Sequence, residues 1–211
     1  MPAHAETDDT QRTILDASRR LFLAHGYRAV STRQIAEASG VTQAALYHFF
    51  TGKEGLYAAM LRVELARVHA GLSRIVTRNA STSEKLLAAT RFLLTTVEYD
   101  FSIMQHDMNT ELDRETRDVL GAQFVAHMLM PLVTIFATGQ ERGELRAPGD
   151  GGMRAERAAG AFLALIAHYI SSPIPGDAAP ARATPNAAHA AAAEIVALML
   201  HGLTREVISD E

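Results

Sequence analysis

"STRQIAEASGVTQAALYHFFTGKEGLY", residues 31–57, is the stretch whose reading decides the fold. Ser31 with Gln34 three residues on has the spacing of a capping box, so a helix is expected to start near Thr32. Gly40 suits the left-handed position that closes such a helix. Thr42 can cap a further short helix through about Phe49. Thr51-Gly52 then reads as a turn, and a long helix follows from Lys53. Within this pattern Ile35 and Ala36 face inward, and Val41 and Leu46 seal the pair from the other side. Gln43, Ala44, Tyr47 and His48 are left to project outward. Two short helices joined by a glycine-containing turn, with another helix before them, make a helix-turn-helix. In that arrangement the second short helix enters the major groove of DNA and meets base edges with its early residues. Phe49 and Phe50 are expected in the core, because large aromatics are usually buried. Tyr47 is expected outside, because its hydroxyl wants a polar partner.

Outward from this stretch the pattern is helical almost throughout. Residues 10–25 carry Ile14, Ala17, Leu21 and Phe22 on one stripe, with Gly26 as a stop. The helix from Lys53 is expected to place Leu56, Met60, Val63, Ala66 and Ala70 on one face. After the polar break "TRNASTSEK" a helix should run from about Ser83 to Met104. Another covers roughly 111–140, kinked at Pro131 because proline removes a backbone donor. Gly143, Pro148 and "GDGG" mark a loop. Residues 153–171 and 186–206 are alanine- and leucine-rich, and "SSPIPGDAAPARATP" between them reads as a loop or linker. No alternating pattern is long enough for a strand. The expected fold is all-α: a tail over 1–9, a three-helix helix-turn-helix domain over 10–55, and a larger helical domain over 56–211 for effector binding and dimerisation.

The chain has 211 residues, 48% of them hydrophobic and 21% charged, a globular balance with room for a core. It contains no cysteine, which excludes disulfides, thiolate metal sites and cysteine nucleophiles. "MPAHAETDD" is polar and acidic, unlike a secretory signal, and no apolar run is read as reaching the ~18 residues of a membrane helix. The expectation is a soluble, cytoplasmic, nucleoid-associated protein without membrane contact. Net charge is −4, but residues 10–55 hold six basic groups against three acidic ones, so that unit is at +3 and the remainder at −7. A basic unit on an acidic body suits DNA binding through one end. G-x-S-x-G, P-loop, H-E-x-x-H and Glu-x-x-His motifs are all missing, so no enzyme is expected. No cofactor is expected either. Within "YDFSIMQHDMNTE" only Asp107 and Glu111 have helical metal-ligand spacing, which is too little for a metal site.

"TRQIAEASGVTQAALYHFFTGKEGLY" resembles the DNA-binding segment of the TetR (tetracycline-repressor-like) family of bacterial transcriptional regulators. The matching elements are T-x-x-I-A, the G-V turn, L-Y-x-x-F and K-E-x-L, over roughly residues 12–57. The resemblance implies roles residue by residue. Thr32 contacts a phosphate and Arg33 a base or phosphate. Thr42 and Gln43 open the recognition helix, with Gln43 reading a base; glutamine can pair bidentately with adenine. Ala44 can touch a thymine methyl. Tyr47 and His48 contact phosphates, and Lys53 clamps the backbone. Phosphate contacts position a protein without reading sequence. The implied function is a regulator, most simply a repressor, released from a palindromic operator in double-stranded DNA by a small-molecule effector. The alternative is a helical interaction module with a vestigial DNA-binding head.

One such head reads too few bases for useful discrimination, so a homodimer is expected. Stripes of Phe162, Leu165 and Ile166, and of Ile195, Leu198 and Met199, are the candidate dimer surface, two helices from each subunit making a four-helix interface. The resemblance also implies an effector pocket among the middle helices, for which Phe92, Tyr99, Met104, Met108, Phe124, His127 and Met128 are the candidates.

Overall fold

A computed structural model describes residues 3–97, 101–171 and 185–201, and every described element is helical. Ten α-helices follow in order: α1 Ala3–Ala29, α2 Thr32–Ser39, α3 Gln43–Phe49, α4 Gly52–Val76, α5 Thr82–Thr96, α6 Phe101–Glu111, α7 Arg114–Phe124, α8 Met130–Glu141, α9 Ala155–Ser171 and α10 Pro185–His201. A π-helical turn, Val125–Leu129, sits between α7 and α8, and a short 3₁₀ turn, Pro148–Asp150, precedes α9. The chain divides into two compact units, Met1–Arg67 with Ser102–Phe124, and Val68–Phe101 with Val125–Glu211. The unit around the head therefore takes in α6 and α7, well beyond residue 55.

In the first unit α1 begins at Ala3, so residues 3–9, expected as a tail, continue a helix instead. α1 breaks at Gly26, whose φ of 77° only glycine adopts at little cost. The core is built on Ile14, Ala17 and Phe22 of α1, Ile35 and Leu46 of the short helices, and Leu56, Tyr57 and Met60 of α4. Phe22, Tyr27 and Tyr57 pack as an aromatic trio, with centroid separations of 4.9–5.8 Å. Of the aromatic pair in the opening stretch, Phe50 is buried and Phe49 only half-buried, because Phe49 ends α3 while Phe50 turns back beneath it.

The long α4 departs from its expected face. Leu56 and Met60 are buried, but Val63, Ala66 and Ala70 are exposed, and Leu61, Leu65, Val68, Leu72 and Ile75 are buried in their place. At about 100° per residue Leu61, Leu65, Val68, Leu72 and Ile75, spaced 4-3-4-3, lie on a different side of the helix from Leu56 and Met60, so the buried face of α4 changes along its length. α5 ends at Thr96, with Val97 extended, rather than running on to Met104. A π turn accompanies Pro131: the missing proline N–H removes the bond to residue 127, and the backbone ahead of it widens. By length and composition Arg114–Glu141 passes for a membrane span, which the sequence reading did not register. The π turn interrupts it, and Leu120, Met128, Leu132, Ile135 and Phe136 are buried within the chain.

The second unit packs α5 against α10 and α8 against α9. Leu86, Leu93, Phe136, Phe162, Ile166 and Ile195 form its centre, with Phe136 and Phe162 edge to face at 5.7 Å. Ser81 and Glu84 make a capping box on α5. Gly71 leaves the notch that the Phe92 ring occupies; a Cβ there would meet the ring at 2.0 Å. The buried Lys85 turns back to donate to the Val76 carbonyl at 2.9 Å, closing the end of α4. Phe162, Ile166 and Ile195, expected on a dimer surface, are 0% exposed within a single chain, so they fill the protomer core and cannot touch a second copy. Leu165, Leu198 and Met199 are half-exposed.

Candidate nucleic-acid interface

The head is assembled by local chemistry. The Ser31 hydroxyl accepts from the Gln34 backbone N–H at 3.2 Å, and the Gln34 carboxamide oxygen accepts from the Ser31 N–H at 2.8 Å. This is the reciprocal pair expected from the spacing. At the other end of α2, Gly40 is left-handed (φ 69°), the Val41 N–H donates to Ala36 C=O and the Gly40 N–H to Glu37 C=O. These two bonds close the helix and reverse the chain within three residues. Thr42 then caps α3, its hydroxyl accepting from Ala45 N–H at 3.1 Å. Ile35 and Leu46, both 0% exposed, lock the two helices from beneath.

On the outer side the same helices are joined by polar groups. Gln43 Nε2 donates to Thr32 Oγ1 at 3.3 Å, and Tyr47 OH shares a hydrogen bond with that same hydroxyl at 3.2 Å. Thr32 opens α2 while Gln43 and Tyr47 lie one turn apart on α3, so three of the candidate side chains meet at one point. Gln43, Ala44, Tyr47 and His48 are all exposed, Tyr47 by 51%. A buried trio of this kind would be structural; an exposed one is a ready set of donors and acceptors. Arg33 is also exposed, and its guanidinium donates to Glu37 at 3.0 Å. An exposed pair four residues apart on a helix contributes only a few tenths of a kcal/mol, so a phosphate can displace the carboxylate at little cost.

Lys53 is arranged differently. Its Nζ sits 4.1 Å above the Tyr27 ring and 3.4 Å from the Arg28 carbonyl, and the side chain is half-buried. Burial lowers its pKa, with Glu111 and Asp107 opposing that shift. A lysine in the first turn of a helix meets the positive end of the helix dipole; the ring face and the carbonyl compensate. Tyr27 also has a raised pKa, from burial first and then from Glu54, Glu111 and Asp107. α6 secures this corner of the same unit. Arg28 Nε donates to Glu111 at 2.6 Å, the Tyr57 hydroxyl is hydrogen-bonded to the buried Asp107, and Glu54 accepts from the Asp113 N–H at 2.6 Å. Asp107 and Glu111 are therefore engaged inside the protein. Sequence reading found neither Tyr27 beneath Lys53 nor the α6 contacts, because such partners lie far apart in the chain and carry no local spacing.

Of the pocket candidates, Met104, Met108 and Phe124 belong to the first unit, and Phe92, His127 and Met128 to the second; Tyr99 lies outside the described residues. Phe92 rests in the Gly71 notch and Met128 is buried. His127 pairs with His69 of α4, ring centroids 4.8 Å apart, a partner that the sequence did not suggest.

Residues 14–60 match the profile of the bacterial regulatory proteins of the tetR family. The HTH-type transcriptional repressor AcnR of Corynebacterium glutamicum is 29% identical over 120 residues, covering 56% of this chain and 58% of that protein. The match thus spans less than two thirds of the repressor's length. The fatty acid degradation regulator FadR of Bacillus halodurans shares the fold with a TM-score of 0.75 at 17% identity, over 93% of this chain and 97% of that one. AibR, solved with isovaleryl coenzyme A and operator DNA, has a TM-score of 0.69 at 25% identity, over 92% of this chain and 100% of that one.

Proposed function

We propose, from the premise that the head of this chain is that of the TetR family, that the protein is a cytoplasmic transcriptional repressor. It binds a palindromic operator as a homodimer and leaves it when a small molecule occupies the helical body. The observation that carries the reading is the exposed junction of Thr32, Gln43 and Tyr47 at the start of α3. The Gln43 carboxamide is the base-reading group. Thr32, Tyr47, His48 and Arg33 serve phosphates, Thr42 caps the recognition helix at its point of entry, and Ala44 offers a methyl to thymine. Lys53 reaches a phosphate by leaving the Tyr27 ring. The reaction is binding alone, with no catalytic step assigned.

The dimer face consists of the half-exposed Leu165 of α9 and Leu198 and Met199 of α10, beside the exposed Ala161, Ala164, Ala193 and Ala197. Small side chains on both helices allow a second copy to approach closely. Two heads on one duplex must meet successive major grooves ~34–36 Å apart. An effector that favours any other separation lowers operator affinity by its differential affinity for the two states. α4 belongs to both units and is the element that carries the change. AibR, seen with both an acyl thioester and operator DNA, gives a precedent among similar chains.

The test is a gel shift at moderate salt with the DNA upstream of the protein's own gene. A discrete complex on a palindrome, reduced by at least one effector from a metabolite panel, is expected. Binding that is no stronger to that DNA than to random sequence would favour an interaction module instead.

A further inference from the structure

We infer that His69 and His127 form a binding site for a short-chain carboxylate within the second unit; the inference rests on the effector reading above. The two imidazoles lie with centroids 4.8 Å apart and planes tilted by 38°. The Nδ1 atom of each ring is buried and has no hydrogen-bond partner. Buried polar atoms in proteins are nearly always paired, and two orphans on adjoining rings call for a polar group from outside the chain. Ser73 Oγ lies 3.4 Å from Nε2 of His69 and adds a third polar contact. His127 belongs to the π turn ahead of Pro131, and such turns recur at binding sites because they re-aim side chains.

An open cavity of about 290 Å³ adjoins His69 and Ser73. Val76, Ala126, Met130 and Pro131 give it an apolar wall beside Thr77 and Thr134, and no lysine, arginine, aspartate or glutamate lines it. That wall suits a short hydrocarbon chain. The lack of fixed cations disfavours a phosphorylated head group, and the lack of carboxylates leaves an anion unopposed. Two imidazoles are too few for a closed metal site, and among the described residues no third metal ligand joins them.

The test is calorimetric titration of the full chain with butyrate and, as a neutral isostere, butyramide. His69→Phe and His127→Phe keep a ring in each place while removing the nitrogens. Saturable butyrate binding is expected, at least ten-fold tighter than butyramide and at least ten-fold weaker in either variant. Equal affinity for acid and amide, equal affinity in the variants, or no heat beyond dilution overturns the site. Should a variant fail to fold, the histidine Cε1–H resonances of the wild type decide: butyrate must shift two of them, and no shift overturns the inference. A parallel operator titration without carboxylate separates the readings. Loss of DNA binding alone discards the repressor, and loss of butyrate recognition alone discards this site.

Discussion

At the scale of single residues, the outward side chains of the head divide by what holds them before DNA arrives. Arg33 is free to exchange a solvated carboxylate for a phosphate. Lys53 must give up a ring face and a carbonyl to do the same. With both proposed as phosphate contacts, alanine at either position should weaken cognate and random duplexes alike and reduce the slope of log affinity against log salt by about 1. A salt titration followed by fluorescence anisotropy checks this. A Lys53→Ala variant with an unchanged salt slope would mean that the ammonium stays on Tyr27 in the complex. Tyr27→Leu removes the ring while leaving the lysine, and on this account should strengthen Lys53's phosphate contact or leave it unchanged, never abolish it.

At the scale of elements, the caps and notches fix helices within each unit. Gly40 adopts a left-handed conformation that costs other residues about 1–2 kcal/mol. Gly40→Ala should lower unfolding free energy by that amount in a denaturant titration, although a Cβ there would meet nothing. The two capping boxes differ in chemistry, glutamine on α2 and glutamate on α5. The Ser81 hydroxyl and backbone N–H hold Glu84 below the usual carboxylate range. A depressed carboxylate stabilises the fold above its unfolded pKa of about 4.3, and the benefit is lost as pH falls through the folded value. Amide-exchange protection factors at the start of α5, taken relative to intrinsic rates, should therefore fall on acidification below pH about 4, whereas those at the start of α2 should show no such titration; a Glu84→Gln chain should lose the dependence.

These caps were legible in the sequence because capping is local: Ser31 and Gln34, Gly40 and Thr42 each declare themselves within a few residues. The faces of the long helices were not. Ile166 and Ile195 looked available for a partner because periodicity reports that a side is apolar, not which neighbour covers it. Val63 and Ala66 share a face with Leu56 and Met60 by spacing, but the buried side of α4 changes after Met60, which apolar periodicity does not report. The junction of Thr32 with Gln43 and Tyr47 was half legible: exposure followed from the pattern, the shared hydroxyl did not.

At the scale of the molecule, specificity requires two heads held at a fixed spacing, so dimerisation and operator affinity should fall together. Leu165→Glu with Leu198→Glu places charges on the half-exposed faces of α9 and α10 without entering the core. Sedimentation velocity should then show a monomer with an unaltered circular-dichroism spectrum and at least ten-fold weaker operator binding; a persistent dimer would relocate the interface. The most direct measurement is the affinity ratio between operator and random duplex at fixed salt, compared for wild type and Gln43→Ala. Loss of a base-reading amide costs about 1–3 kcal/mol of discrimination, so the ratio should fall roughly 5- to 150-fold while random-duplex affinity stays nearly constant. An unchanged ratio would contradict a head that reads DNA through the start of α3.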